Sequence, residues 1–149
     1  MSSQIDQIDH AILDVLSVDG RISVTELAER VGLSKTPCHL RLKRLQATGY
    51  ITGFKAVLDR KKLGLNTVAF VEVKLSDTRE KALQAFNAGV RKVPEIESCH
   101  MIAGAFDYLL KVRTQNIDDY RRVLGEEIST LPHVANTSTH VSMQDVQDT

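Results

Sequence analysis

The hydrophobic period of this chain changes once, near Asn66, and that change divides it into two kinds of structure. Before it, apolar residues recur at helical spacing in three short runs. Ile8, Ile12 and Leu16 form one stripe, with Ile5 leading in and Asp19-Gly20 ending the run. Leu27, Ala28 and Val31 supply the inner side of a second helix, which Ser23 or Thr25 can cap and Gly32 ends. A third run, from Pro37 to Thr48, places Cys38, Leu42 and Leu45 at i, i+4 and i+7. Ser34 stands as its N-cap, proline is tolerated in a first turn, and Gly49 closes it. ITGFKAVL (51–58) reads as a short strand, followed by a charged connector to Gly64.

Beyond Asn66, NTVAFVEVKL is β-branched and aromatic, hence a strand. Arg79 to Val93 is helical, with Leu83, Phe86, Val90 and Val93 inward, and Pro94 stops it. IESCHMIAG and DYLLKVRT are two strands around the turn from Ala103 to Phe106. Ile117 to Leu131 is a helix with Tyr120, Leu124, Ile128 and Leu131 at core spacing, and HVANTSTHVSM is the last strand. The order β-α-β-β-α-β is the split, ferredoxin-like arrangement. The reading is therefore α+β: a helix-turn-helix (winged) domain over residues 1–60 and a βαββαβ ferredoxin-like domain over 61–149.

A formal net charge of zero conceals a strong polarity. Residues 1–29 carry −5, residues 30–62 carry +8 and residues 63–149 carry −3. Positive charge packed into 33 residues is a patch for a polyanion. No apolar run approaches the roughly 18 residues needed to span a bilayer, and MSSQIDQIDH lacks the basic start and apolar core of a signal peptide. The expected address is cytoplasmic, with no membrane partner.

Two short helices joined by about four residues, with Ala28 and Gly32 four apart, fit a helix-turn-helix: the small residue lets the helices approach and the glycine allows the tight turn. Small bundles that only bind proteins share this spacing. The third helix favours double-stranded DNA. At about 100° per residue, its face opposite Cys38 and Leu42 carries Thr36, Leu40, Lys43 and Ala47, with His39 and Arg44 at the edges. Ser34, Lys35, Thr36 and Pro37 form the amino end that a phosphate would approach. Lys43 and Arg44 can neutralise backbone or read guanine, and Leu40 suits a thymine methyl. Arg41 lies nearer the core edge, where it can also clamp to an acid of the first helix.

These features come together in a resemblance. GRIS, ELA, VGLS, TPC and RLQATGYITGF, and then SCHMIAGAFDYLLKV, DYRRVL and LPHVANTSTHVSM, resemble the two domains of the Lrp/AsnC family of transcriptional regulators over nearly the whole chain. The resemblance implies dimers built on the ferredoxin-like domain and assembled further to tetramers or octamers. It also implies palindromic operators and an amino-acid effector held between dimers. The loop that ends at Asp107 lies at the ligand pocket in that family. Carried over, the effector residues are Met101, Gly104, Phe106, Asp107 and Tyr108, with Thr137, Ser138, Thr139 and His140 from a neighbouring dimer. Asp107 would accept the ammonium, and the free amides before it would meet the carboxylate. The polar members suit a small or polar amino acid, while Met101 keeps leucine or methionine in play. Position 40 is leucine where a relative has glutamate, and position 105 is alanine where it has aspartate, so base preference and effector identity are this chain's own.

Other chemistries fit less well. His100, His133 and His140 have no metal-ligand spacing, and Cys38 and Cys99 form neither a redox pair nor a zinc site. No metal or other cofactor is expected. The sirohaem decarboxylases resemble the family in both domains and supply the alternative reading, an enzyme on the same architecture. Such an enzyme needs a basic pocket in the second half, which here is net acidic. No catalytic residue is expected.

Overall fold

In a computed structural model, residues 4–148 are described. One compact unit ends at Leu58 and a second begins at Asp59.

The first unit holds three helices: α1 (Gln7–Val18), α2 (Val24–Val31) and α3 (Lys35–Ala47). Asp6 and Asp9 cap α1 reciprocally, the Asp9 amide donating to Asp6 Oδ1 at 2.8 Å and the Asp6 amide to Asp9 Oδ2 at 3.1 Å. Of the two possible caps for α2, Ser23 is used: its hydroxyl accepts the Glu26 amide. Gly32 ends α2 at φ 75°, the left-handed region that glycine enters without steric cost. Ser34 occupies the N-cap position of α3, yet its hydroxyl makes no capping bond. Ile12, Leu27, Ala28, Cys38 and Leu45 are buried together, with Ile5, Ile8, Leu16, Leu33 and Ile51 packed around them. Leu42 is only half-buried, so two residues rather than three form the inner seam of α3.

The strand expected over 51–58 does not form. An extended segment needs a neighbour to complete its ladder, and among the described residues this unit offers none.

The second unit runs β1 (Thr67–Leu75), α4 (Glu80–Val90), β2 (Ile96–Met101), β3 (Tyr108–Thr114), α5 (Ile117–Val123) and β4 (Val134–Val141). The four strands lie in the order β2-β3-β1-β4 with every neighbouring pair antiparallel. Ala69, Val71, Val73 and Leu75 of β1, with Leu110 and Val112 of β3, meet Phe86 and Val90 of α4 and Tyr120 and Val123 of α5. Both helices thus cover one face, and the alternate residues form an open face. Helix α4 stops three residues earlier than expected, although Val93 remains buried. Pro94 steers the residue before it away from helical geometry, and two tight turns carry the chain to β2. The second helix also changes character, because Leu124–Ile128 form a π-helical turn beyond α5.

Candidate DNA-binding and effector surfaces

Ser34, Lys35, Thr36, Pro37, His39, Leu40 and Lys43 are exposed at the amino end and along the outer side of α3. Leu40 is 62% exposed. With the Ser34 hydroxyl making no cap, the first amides of α3 keep their donors for another acceptor.

The other two basic residues of α3 are paired with acids of α1, Arg44 with its side chain still 48% exposed. Arg41 donates to Asp6 at 2.6 Å and to Asp9 Oδ1 at 3.1 Å, and Arg44 donates to Asp9 Oδ2 at 2.5 Å. Asp9 is completely buried. The Arg41 guanidinium beside Asp6 holds that carboxyl down to about 2, helped by the Asp9 amide. The clamp from Arg41 to α1 that the sequence suggests is present. Sequence reasoning misses Arg44 as a second strap and Asp9 as the shared acceptor, although an aspartate at the inward spacing of Ile8 and Ile12 is a visible signal.

In the second unit the loop before β3 is closed by the Ile102 amide donating to the Asp107 carbonyl at 2.8 Å. The Asp107 amide donates to Val73 O at 2.9 Å, and its Oδ2 accepts the Leu75 amide at 2.8 Å. Half of this carboxylate therefore ties the loop to β1. Gly104 and Met101 are exposed and Phe106 is half-buried. A Cβ on Gly104 would meet only Ile102, at 3.6 Å, so the fold itself does not demand glycine there.

The remaining expected effector residues separate by strand alternation. Register places Thr137 and Thr139 opposite Val73 and Val71, on the helix side, and Ser138 and His140 opposite Glu72 and Phe70, on the open face. Thr139 hydrogen-bonds the Tyr120 hydroxyl. Tyr108 belongs to the core, its ring 4.3 Å from that of Phe86 and its hydroxyl donating to Asn87 at 2.7 Å. A cavity of about 500 Å³ lies between α4 and β2, lined by Val90, Arg91, Ile96, Cys99, Met101 and Tyr108 among others. Burial pushes the Cys99 thiol up to about 11, so it is neutral at physiological pH. Among the described residues no three His, Cys, Asp or Glu side chains gather as a metal site would require. Among them, too, no helix is long and apolar enough to cross a membrane.

Comparison with known proteins decides the family. A model described as the Lrp/AsnC ligand binding domain matches residues 68–149, more than half of the chain, and one described as winged helix-turn-helix DNA-binding matches residues 5–52. The chain belongs to the Lrp/AsnC family. This Lrp/AsnC protein is 65% identical to the proline dehydrogenase transcriptional activator of Rhizobium radiobacter, covering 99% of the chain and 95% of the relative. It is 44% identical to the leucine-responsive regulatory protein of Escherichia coli K12, over 96% of this chain and 87% of that one. Among solved structures, a transcriptional regulator from Neisseria meningitidis in complex with L-Met superposes with a TM-score of 0.92 at 31% identity, covering 98% of this chain and 94% of that chain. The protein is a DNA-binding transcriptional regulator with a ligand-binding domain, and not an enzyme.

Proposed function

We propose that this Lrp/AsnC regulator reads a two-fold operator with α3 and responds to an amino acid bound by its second domain. The single observation that carries the first part is the exposed row Lys35, Thr36, His39, Leu40 and Lys43 on one side of α3. Lysines there neutralise phosphates, while Thr36, His39 and Leu40 meet base edges. Ser34 and Pro37 lie at the amino end, where a phosphate approaches.

A two-fold operator needs a two-fold protein. The sheet face opposite the helices, on which Phe70 is 38% exposed although Val68 and Arg113 are buried, supports a homodimer through the second domain. Dimers then assemble to tetramers or octamers, with the effector held between them. Asp107, Gly104, Phe106 and Met101 belong to one dimer, and Thr137, Ser138, Thr139 and His140 reach the ligand from its neighbour. Tyr108 supports the pocket from the core. A DNA-binding regulator of this kind works in the cytoplasm.

The relative named for activating proline dehydrogenase makes that gene the target to test and proline the amino acid to try first. The neighbour solved with L-Met supports an amino acid as the chemical class. Isothermal titration of the twenty amino acids, with gel shifts on DNA upstream of the proline dehydrogenase gene, is the test. No heat from any amino acid would remove the sensing half, and no shift of that DNA would remove the proposed target.

A further inference from the structure

The second strap on Asp9 reduces the positive charge that α3 can offer to DNA. We propose that Asp9 is a positioning residue for DNA recognition. It withholds Arg41 and Arg44 from the phosphates, uses them to fix the roll of α3, and leaves Lys35 and Lys43 as the phosphate-neutralising charges of that helix. This rests on the reading of α3 as the recognition helix.

Composition alone credits α3 with four cations, Lys35, Arg41, Lys43 and Arg44. At about 100° per residue they fall into two groups. Arg41 and Arg44, three residues apart, are neighbours on the flank that faces α1. Lys43 lies about 100° round from Arg44, on the side of Thr36 and His39. The two arginines converge on one fully buried carboxylate, Arg41 on Oδ1 and Arg44 on Oδ2. Oδ2 has one further donor, the Asp6 amide at 3.1 Å. Were Arg44 to turn to a phosphate, that buried oxygen would be without its charged partner. Leaving a buried charge uncompensated is strongly unfavourable.

The arginines have a task that packing cannot do. The fully buried seam of α3 consists of Cys38 and Leu45 alone, and apolar contact is non-directional, so two such residues tolerate a roll of the helix about its axis. Hydrogen bonds from two guanidinium groups to one fixed carboxylate are directional and set that roll. Asp9 is itself fixed, because it is half of the cap of α1. The roll in turn decides whether Thr36, His39, Leu40 and Lys43 point outward as a set. Asp9 acts through α3 and touches no DNA.

The test is fluorescence anisotropy of the full-length protein at several salt concentrations. One duplex is enriched by the parent from a random pool and the other is a scrambled duplex of equal length. Melting temperatures are recorded alongside. Lys43→Gln should lower the slope of log affinity against log salt by about one for each phosphate that is no longer neutralised. Arg41→Gln and Arg44→Gln should leave the slope unchanged. Asp9→Asn releases a guanidinium, so it should steepen the slope on scrambled DNA. It should also cut the preference for the enriched duplex by about tenfold, the worth of one base contact. A purely structural aspartate would move the melting temperature and neither of these quantities. A slope that falls in Arg44→Gln as it does in Lys43→Gln overturns the proposal, as does an Asp9→Asn protein with parental slope and preference. Should Asp9→Asn fail to fold, the comparison of Lys43→Gln with Arg44→Gln decides alone. A slope indifferent to Lys43→Gln overturns the recognition-helix reading, and this proposal falls with it.

Discussion

The guanidinium of Arg113 meets the carboxylate of Glu97 at 2.6 Å across β3 and β2, with the Arg113 side chain only 7% exposed. Asp148 closes a second ion pair to Arg113 at 2.8 Å, and Lys111 joins both acids. The two cations hold the Glu97 carboxyl below its usual range against the opposing effect of its burial. Removing one partner of such a pair leaves a charge uncompensated. Glu97→Met should lower stability by about 2–3 kcal/mol, less than a fully buried pair would lose, because Asp148 remains. The double variant Glu97→Met/Arg113→Met should lose less than Glu97→Met alone. Urea unfolding of both variants is the measurement, and a double variant worse than the single would refute this account.

The first domain should carry a distinctive acid response. Asp6 has its carboxyl at about 2 in the folded protein against an ordinary value of 3.8, chiefly through the Arg41 hydrogen bond. A depressed carboxylate contributes stability above its unfolded pKa and loses it as the pH falls towards the folded one, so the loss spans roughly pH 4 to pH 2. Arg41→Gln should flatten that part of the stability profile and leave its neutral part nearly parallel to the parent's. Thermal melts followed by circular dichroism from neutral pH downward would show it. Profiles that stay parallel through the acid range would remove the Arg41–Asp6 pair as the cause.

Two glycines should behave in opposite ways. Gly32 sits at φ 75° with no atom within 4 Å of where a Cβ would stand, so alanine there suffers from backbone conformation alone. Gly32→Ala should cost roughly 1–2 kcal/mol. Gly104 lies outside the left-handed region and has room for a Cβ, so Gly104→Ala should change stability by less than about 0.5 kcal/mol. If Gly104→Ala nevertheless weakens amino-acid binding, close approach of the ligand to the loop is the reason. A Gly104→Ala protein that melts as far below the parent as Gly32→Ala would show that the fold does need that glycine.

Asp107→Asn separates the two tasks of that side chain. An amide keeps a carbonyl oxygen to accept the Leu75 amide, so the tie between the loop and β1 survives. The negative charge that would face a ligand ammonium is removed. Titration calorimetry should find affinity for the effector, proline being the first trial, reduced by at least about tenfold, in line with the roughly 1.5–3 kcal/mol of a charged hydrogen bond. Parental affinity in a folded Asp107→Asn protein would remove the aspartate from the site.

The local patterns that suffice for the fold are apolar spacing and breakers. Ile8, Ile12 and Leu16, Gly32 after Val31, the β-branched run at Thr67 and Pro94 after Val93 are short-range signals, and each acts through steric or hydrophobic preferences of a few neighbouring residues. Element order and the α+β class follow from them, as does the exposed face of α3, since helical geometry alone separates Leu40 and Lys43 from Cys38 and Leu45. Three matters lie beyond their reach. The strand expected over 51–58 fails because a ladder needs a partner that local propensity cannot supply. Thr137 to His140 alternate by the pleat of the strand itself, but which alternate pair faces the helices is decided only by pairing with β1. Which cations of α3 stay free depends on Asp9, 32 residues from Arg41 and 35 from Arg44 in the chain. Periodicity indicates which way a side chain leaves its own helix; which charge it meets there is decided only when packing brings α1 against α3 and buries the carboxylate between them.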